Sequence, residues 1–326
     1  MRAEEFRIET FALGERHELE LEFVAGGQRL GFPVLLWRGR SAGPVLAVSA
    51  GVHGDEYEGM RALVELASEL DPDIMRGDLL AVPVLNVPAF EQGTRRSPLD
   101  GADLARQFPG RRDGSPSQAL AWHFDQSILS QASFYVDLHS AGASLEMPLL
   151  VGYEAGDERS ERAAFAFGAP VVWAHPRTPP GRSVSAAKAR GIPFLYTEAR
   201  GAGRIDAEDL AVFKRGLLNL MRHLGILPGA PEPAAPRLHL FGDGDIEMSV
   251  RAGRDGFLLP EVELLSPVSA GACLGMLVDM WGRVLERYFA PRDGVVVLIH
   301  ACPRVRAGEP VFLVTGLAVG PRSGDL

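Results

Sequence analysis

The stretch from Val45 to Leu70, VLAVSAGVHGDEYEGMRALVELASEL, limits what this chain can fold into more than any other. It opens as an apolar run of strand character and closes as an amphipathic helix, with Met60, Leu63, Val64, Ala67 and Leu70 at helical spacing. In the turn between them stand His53, Gly54, Asp55 and Glu56. Residues three apart on a turn are neighbours, so this imidazole and carboxylate can aim at one point. Gly51 and Gly54 are expected to let the backbone bend there. The donor pair suits zinc, whose catalytic sites often combine two His and one Glu with a water. Taken alone, His-x-x-Glu is a weak signal, and its ordinary reading is a solvated loop.

Two further strand ends supply partners. FYVDLHSAG places His139 at the end of the apolar run Phe134 to Leu138. In open α/β sheets, sites gather beyond the carboxyl ends of strands, where both His53 and His139 are expected. Asp137, two residues earlier, shares a strand face with His139 and can orient its imidazole, or else bond backbone amides of a loop. PFLYTEARGAG puts Glu198 at a third strand end, before a glycine-rich bend. A carboxylate there can act as a general base, although a surface Glu would read the same way.

Taken in order, HGDEYEG, NVPAF with GTRRSPLDGADLARQFPG, DLHSAG and TEARGAG resemble the succinylglutamate desuccinylase/aspartoacylase family. That family is a branch of the zinc carboxypeptidase fold, and the resemblance spans roughly residues 30 to 225. HGDEYEG and GTRRSPLDG look most like the N-acetyl-diaminobutyrate deacetylase-like branch. The resemblance implies one Zn2+ per chain on His53, Glu56 and His139, with Glu198 as general base. It also implies that Arg95 polarises the scissile carbonyl. Arg106, Arg96 and Asn86 are the candidate substrate contacts. One position departs from the pattern: where the family has Asn-Arg before Phe-Pro-Gly, this chain has Ala105-Arg106. Ala105 cannot hydrogen-bond a substrate carboxylate, whereas Arg106 alone still can.

The rest of the chain fits around these motifs. Residues 5–40 alternate apolar and polar positions and read as a strand-rich lead-in. A strand is expected over Leu79 to Leu85, and residues 91–114 as a long polar loop with Arg95, Arg96, Arg106, Arg111 and Arg112. Ser115 to Gln118 forms a capping box that starts a helix to about Gln131. His123 within that helix reads as a packed histidine. A helix over Glu158 to Phe167, a strand VVWAHP with His175, and the loop TPPGRS follow, the loop bordering the pocket with Arg182 as a further contact. Ser183 is expected to cap a short helix and Asp206 a longer one.

Strands alternating with helices predict an α/β fold with a mixed, mostly parallel sheet covered on both faces. The expected organisation is a catalytic domain over residues 1–227, a proline-rich linker over 228–236, and a small all-β domain over 237–326. His300 and Cys302 read as core residues of that β domain.

A net charge of −9 argues against nucleic-acid or anionic-membrane partners. The first residues lack the apolar core of a secretory signal, no run approaches a membrane span, and two cysteines are too few for a disulfide framework. A cytoplasmic enzyme is therefore expected, with homo-oligomerisation left open. The implied reaction is hydrolysis of the amide bond of a small N-acylated amino acid or related amine, by a metal-activated water with a Glu base. The competing readings are a metallocarboxypeptidase acting on peptides, an esterase, and a non-catalytic metal-bearing binding protein.

Overall fold

A computed structural model describes residues 1–232 and 234–316; the last ten residues of the expected β domain lie outside the described residues. The strands of the first part are β1 (Arg16–Ala25), β2 (Gln28–Arg38), β3 (Ser41–Ala50), β4 (Arg76–Val82), β5 (Phe134–Ser140), the two-residue β6 (Leu145–Glu146), β7 (Leu150–Glu154), β8 (Val171–His175) and β9 (Phe194–Ala199), with β10 (Leu238–Phe241) beyond the linker. Nine of them form one sheet in the order β1-β2-β4-β3-β5-β9-β7-β8-β10. Its centre is parallel from β4 through β3 and β5 to β9, while β1, β2 and the β9–β7 pair are antiparallel.

The helices are α1 (Tyr57–Leu66), α2 (Val87–Gln92), α3 (Pro116–Ser127), α4 (Glu158–Phe167), α5 (Ser183–Ala189) and α6 (Ala207–His223). They cover both faces, and the central strands are therefore apolar on both sides. Along β3, Leu46, Val48 and Ala50 pack with α1, α4 and α6, whereas Val45 and Ala47 face α3 and α5. β5 repeats the division, with Phe134, Val136 and Leu138 on the first side and Tyr135 on the second. The polar residues that continue the second side, Asp137 and His139, thus emerge on the α5 face.

Several element boundaries differ from the sequence expectation; the helix begun at Ser115, expected to about Gln131, ends at Ser127 with a separate turn over Leu129–Gln131. β4 runs Arg76–Val82 because Pro83 has no amide to continue the ladder. Leu85 and Asn86 instead bond the carbonyls of Ala50 and Gly51, and the short helix α2 follows, its last two residues taking up the start of the expected loop. Ser183 is the first residue of α5 rather than its cap; Arg182 holds the cap position. The capping box at Ser115 and the caps at Asp206 are formed as expected.

The C-terminal part is built of short antiparallel strands. Val250–Arg251, Pro310–Thr315, Gly294–His300 and Pro267–Val268 form one sheet, and Val284–Phe289, Cys273–Val278, Gly256–Pro260 and Arg304–Val305 another. The expected boundary at residue 237 is crossed in both directions. β10 pairs in parallel with β8 as the edge of the large sheet, and β6 pairs with Gly294–His300. Leu150, Trp173 and Leu240 from one side pack with Val295, Val297 and Leu313 from the other. His300 is buried and donates from Nδ1 to the Cys302 carbonyl, as a packed residue does. His123 is buried too and stacks on Phe23 at 4.3 Å between ring centroids. No helix among the described residues is long and apolar enough to cross a membrane.

Candidate metal centre and active site

From β3 the chain leaves through α1 to β4 on one side, while β5 lies on the other. Such a reversal of strand order opens a crevice at the carboxyl ends. His53 and Glu56 stand in the turn after β3, and His139 near the end of β5. Gly51 has a left-handed φ of 67°, as the bend requires. Gly54 serves differently from the expectation: its φ is ordinary, but a Cβ there would sit 2.0 Å from the Ala89 carbonyl carbon. The turn is pressed against α2 backbone, and Asn86 ties the two together by donating to the Val52 carbonyl at 3.3 Å.

One ligand atom each from His53, Glu56 and His139 lies within 4.8 Å of the others. The arrangement is nearly symmetric about the Glu56 carboxylate. His53 Nδ1 is 2.6 Å from Oε1 and His139 Nδ1 is 2.8 Å from Oε2. Each imidazole turns its other nitrogen to an aspartate: His53 Nε2 to Asp103 Oδ1 at 3.1 Å, and His139 Nε2 to Asp137 Oδ2 at 3.0 Å. An Nε2–H held by a carboxylate leaves Nδ1 as the lone-pair donor, the tautomer a metal ligand needs. Asp137 is fixed in turn by Ser49 Oγ at 2.7 Å and by Ser183 Oγ of α5. Two neutral-capable imidazoles and a buried carboxylate fit a divalent zinc-like ion.

Electrostatics follow from that packing. Burial opposes ionisation of Glu56, yet the two imidazoles hold its carboxyl far below the usual range. Burial likewise disfavours the His139 cation, but Asp137 and Glu56 raise its pKa well above the ordinary value. Asp103, despite its burial, is held low by its hydrogen bond to His53 and by the arginines nearby. A bound cation would take the place of the positive charge that Asp137 and Glu56 favour on His139.

The cleft above this centre encloses about 1130 Å³ open to solvent. Glu198 lines it from β9, in register with His139 on β5. Its Oε2 is buried with no hydrogen-bond partner among the described residues. Burial first, and then the Glu56 charge, push its pKa up to about 8. Arg95 reaches the centre from the loop after α2, 3.3 Å from Glu56 Oε1 and 3.4 Å from Asp103 Oδ2. Arg106 and Ala105 both line the cleft, and burial together with Arg182 lowers the Arg106 pKa.

Two expected substrate contacts are elsewhere. Arg96 is exposed and bonds the Gly101 carbonyl of its own loop, in the bend from which Arg95 turns to the cleft. Asn86 is buried beneath the His53 turn and does not reach the cleft. Conversely, Asp103, Tyr196 and His175 belong to the site without having been singled out as such. For Tyr196 the period of two was a usable signal, since Phe194, Tyr196 and Glu198 share one strand face and all line the cleft.

A His–Glu–His group that could hold a metal ion stands at the switch point of a helix-covered sheet, and a glutamate whose buried Oε2 has no partner among the described residues lines the same cleft, the layout a hydrolase with an activated water needs. The chain belongs to the succinylglutamate desuccinylase/aspartoacylase family. The family model "Succinylglutamate desuccinylase/Aspartoacylase catalytic domain" matches residues 42–224. N-alpha-acetyl-L-2,4-diaminobutyric acid deacetylase of Halomonas elongata is 32% identical over 284 residues, which cover 84% of this chain and 83% of the relative. A solved succinylglutamate desuccinylase/aspartoacylase from Rhodobacter sphaeroides superposes with a TM-score of 0.82 at 32% identity, covering 93% of this chain and 95% of that one. The product-bound ectoine utilization protein EutE (DoeB) from Ruegeria pomeroyi gives a TM-score of 0.85 at 30% identity, covering 94% and 98%.

Proposed function

We propose that this chain is a zinc-dependent deacylase that hydrolyses the amide bond of a small N-acylated amino acid. The observation that carries the reading is Glu198, on the strand beside His139, whose buried Oε2 has no partner among the described residues and which lines the same cleft as His53, Glu56 and His139. Those three residues would hold the ion, with Asp103 and Asp137 orienting the imidazoles. A bound zinc supplies Lewis acidity and lowers the pKa of water.

The chain's own residues supply the remaining chemistry. Glu198 takes a proton from the attacking water and returns it to the leaving amine. Arg95 stabilises the negative charge that develops on the carbonyl oxygen; it is already drawn towards the centre by Glu56 and Asp103. Arg106 holds the substrate carboxylate in the cleft. The name of the Halomonas elongata relative supports an acetylated amino acid as the substrate class.

The test is a panel of N-acetyl, N-formyl and N-succinyl amino acids, short peptides and simple esters. Turnover of one N-acyl amino acid is expected to exceed that of the peptides and esters, to vanish on treatment with a chelator and to return with zinc. Turnover that survives exhaustive chelation sinks the reading.

Ala105 offers a second check on the carboxylate contact. It lies in the cleft beside Arg106, so an amide introduced there can reach the same anion. A hydrogen bond to a charged group contributes about 1.5–3 kcal/mol. Ala105→Asn should therefore raise kcat/KM for N-acyl amino acids roughly tenfold and do little for their uncharged amides. The comparison is made at equal zinc content, and an unchanged preference removes position 105 from the substrate.

A further inference from the structure

Three consecutive residues just past the proposed base, Gly201, Ala202 and Gly203, have left-handed φ values of 79°, 58° and 67°. Glycine adopts that region freely, but a residue with a Cβ does so only where its surroundings fix it. The amides of this bend are all bonded. Ala202 donates to the Leu145 carbonyl at 3.0 Å and Gly203 to the Gly142 carbonyl at 3.1 Å, both in the segment that follows His139. The two preceding amides go to side chains instead. Arg200 donates to Asp209 Oδ2 at 2.7 Å, and Gly201 to Glu58 Oε1 at 3.1 Å. Both carboxylates are buried, Asp209 in the first turn of α6 and Glu58 in the first turn of α1. Neither lines the cleft, and the reaction above uses neither.

What they hold is the end of β9. Glu198 is the last residue of that strand paired with β7, opposite Leu150, and one step later the ladder with β5 ends at Ala199 opposite Ser140. The Glu198 side chain adds no anchor at its buried Oε2, which has no partner among the described residues. Its aim therefore depends on the backbone to either side, and downstream that backbone is held by Asp209 and Glu58. Glu58 has a second connection. It stands two residues after Glu56, whose carboxylate meets both His53 and His139. The start of α1 thus reaches the candidate metal centre with one carboxylate and the bend behind the base with another. The bend has no slack against the segment after His139, since a Cβ on Gly201 would lie 2.7 Å from the Ala141 Cβ.

Resting on the deacylase reading, we propose that Glu58, together with Asp209, is a positioning residue for the general base. By holding the amides of Gly201 and Arg200, the two carboxylates set the distance from Glu198 to the ion that Glu56 helps to hold. Rates are sensitive to such placement, and a shift of about 1 Å can cost about 10²-fold.

Glu58→Met keeps the bulk of the side chain and removes the acceptor. At full zinc content it should lower kcat roughly tenfold or more and leave KM within about twofold. Glu58→Gln restores an acceptor oxygen at the same reach and should stay within about threefold of wild type. The decisive comparison is made in the Glu198→Gln background. A residue that acts through the base has nothing left to act on there, so Glu58→Met should cost less than about twofold more. A residue that only supports the fold would cost the same factor in both backgrounds. Asp209→Ala, which frees the neighbouring amide, carries the same comparison if Glu58→Met proves misfolded by its melting temperature. A kcat within about twofold of wild type, equal losses in the two backgrounds, or zinc lost in step with activity overturns the proposal and leaves the deacylase reading intact. Should Glu198→Gln itself keep wild-type turnover, the base assignment falls and this proposal with it.

Discussion

Glu198→Gln is expected to lose turnover by about 10²-fold or more while retaining one zinc per chain. The glutamine keeps the shape of the side chain and abolishes its basicity, and a general base contributes about that factor. Glu198 is not one of the three residues that converge as ligands, so the ion should stay. Metal analysis beside steady-state kinetics reads both halves. Zinc lost with the activity would make Glu198 a ligand, and unchanged turnover would remove it from the mechanism. The same variant has a stability signature. Glu198 has a folded pKa of about 8 against an ordinary value of 4.5, so the folded chain disfavours its ionisation. Below pH 4.5 both states hold the proton and the group is neutral for stability; as pH rises to 8 the unfolded state gains. Metal-free Glu198→Gln should accordingly melt above metal-free wild type at pH 8, with the gap closing near pH 4.5.

His139→Ala should reduce the zinc content from one per chain to near none after dialysis, and abolish turnover with it. Removing one of three ligands leaves two, too few for a catalytic site. The fold should survive the change. The aspartate that loses its imidazole, Asp137, still receives hydrogen bonds from Ser49 and Ser183. Its burial is thus not left uncompensated. A metal measurement paired with thermal melting separates the outcomes: full zinc retention contradicts the ligand assignment, and collapse of the fold would show that His139 is needed structurally. Asp103→Asn, which loosens the hold on His53, should weaken zinc 10- to 100-fold without abolishing it, by the usual effect of an orienting carboxylate.

The parts of the site legible in the sequence were those tied to strand ends. His53, Glu56, His139 and Glu198 each follow an apolar run, and a parallel sheet collects such positions at one edge. Asp137 was readable because a period of two puts it beside His139. The loop residues were harder. Arg95 and Arg96 are adjacent, and only the path of the loop decides that one enters the cleft and the other faces solvent. Asn86 looked available in sequence but is consumed by the Val52 carbonyl under the turn. Asp103 reaches His53 across fifty residues of sequence, and no local periodicity encodes such a contact. The pairing of strands across residue 237 was hidden for a related reason. A four-residue strand such as Leu238–Phe241 carries no mark of which sheet it will join, and that choice is made by the free edge of β8.

The exchange of strands across the linker has a consequence for how the enzyme is made. A chain synthesised from its N-terminus has His53, Glu56, His139 and Glu198 available once residue 198 is free. The wall that includes Asp245, Leu298 and Leu313 is still missing at that point. At 5–20 residues per second, roughly ten seconds of translation separate the two events. Until Phe241 has emerged, early in that interval, β8 lacks β10 on its outer edge, and an unpaired edge is a template for another chain. A ribosome that stalls before Phe241 would therefore release a chain that carries His53, Glu56, His139 and Glu198 with the chamber unwalled and the edge of β8 open.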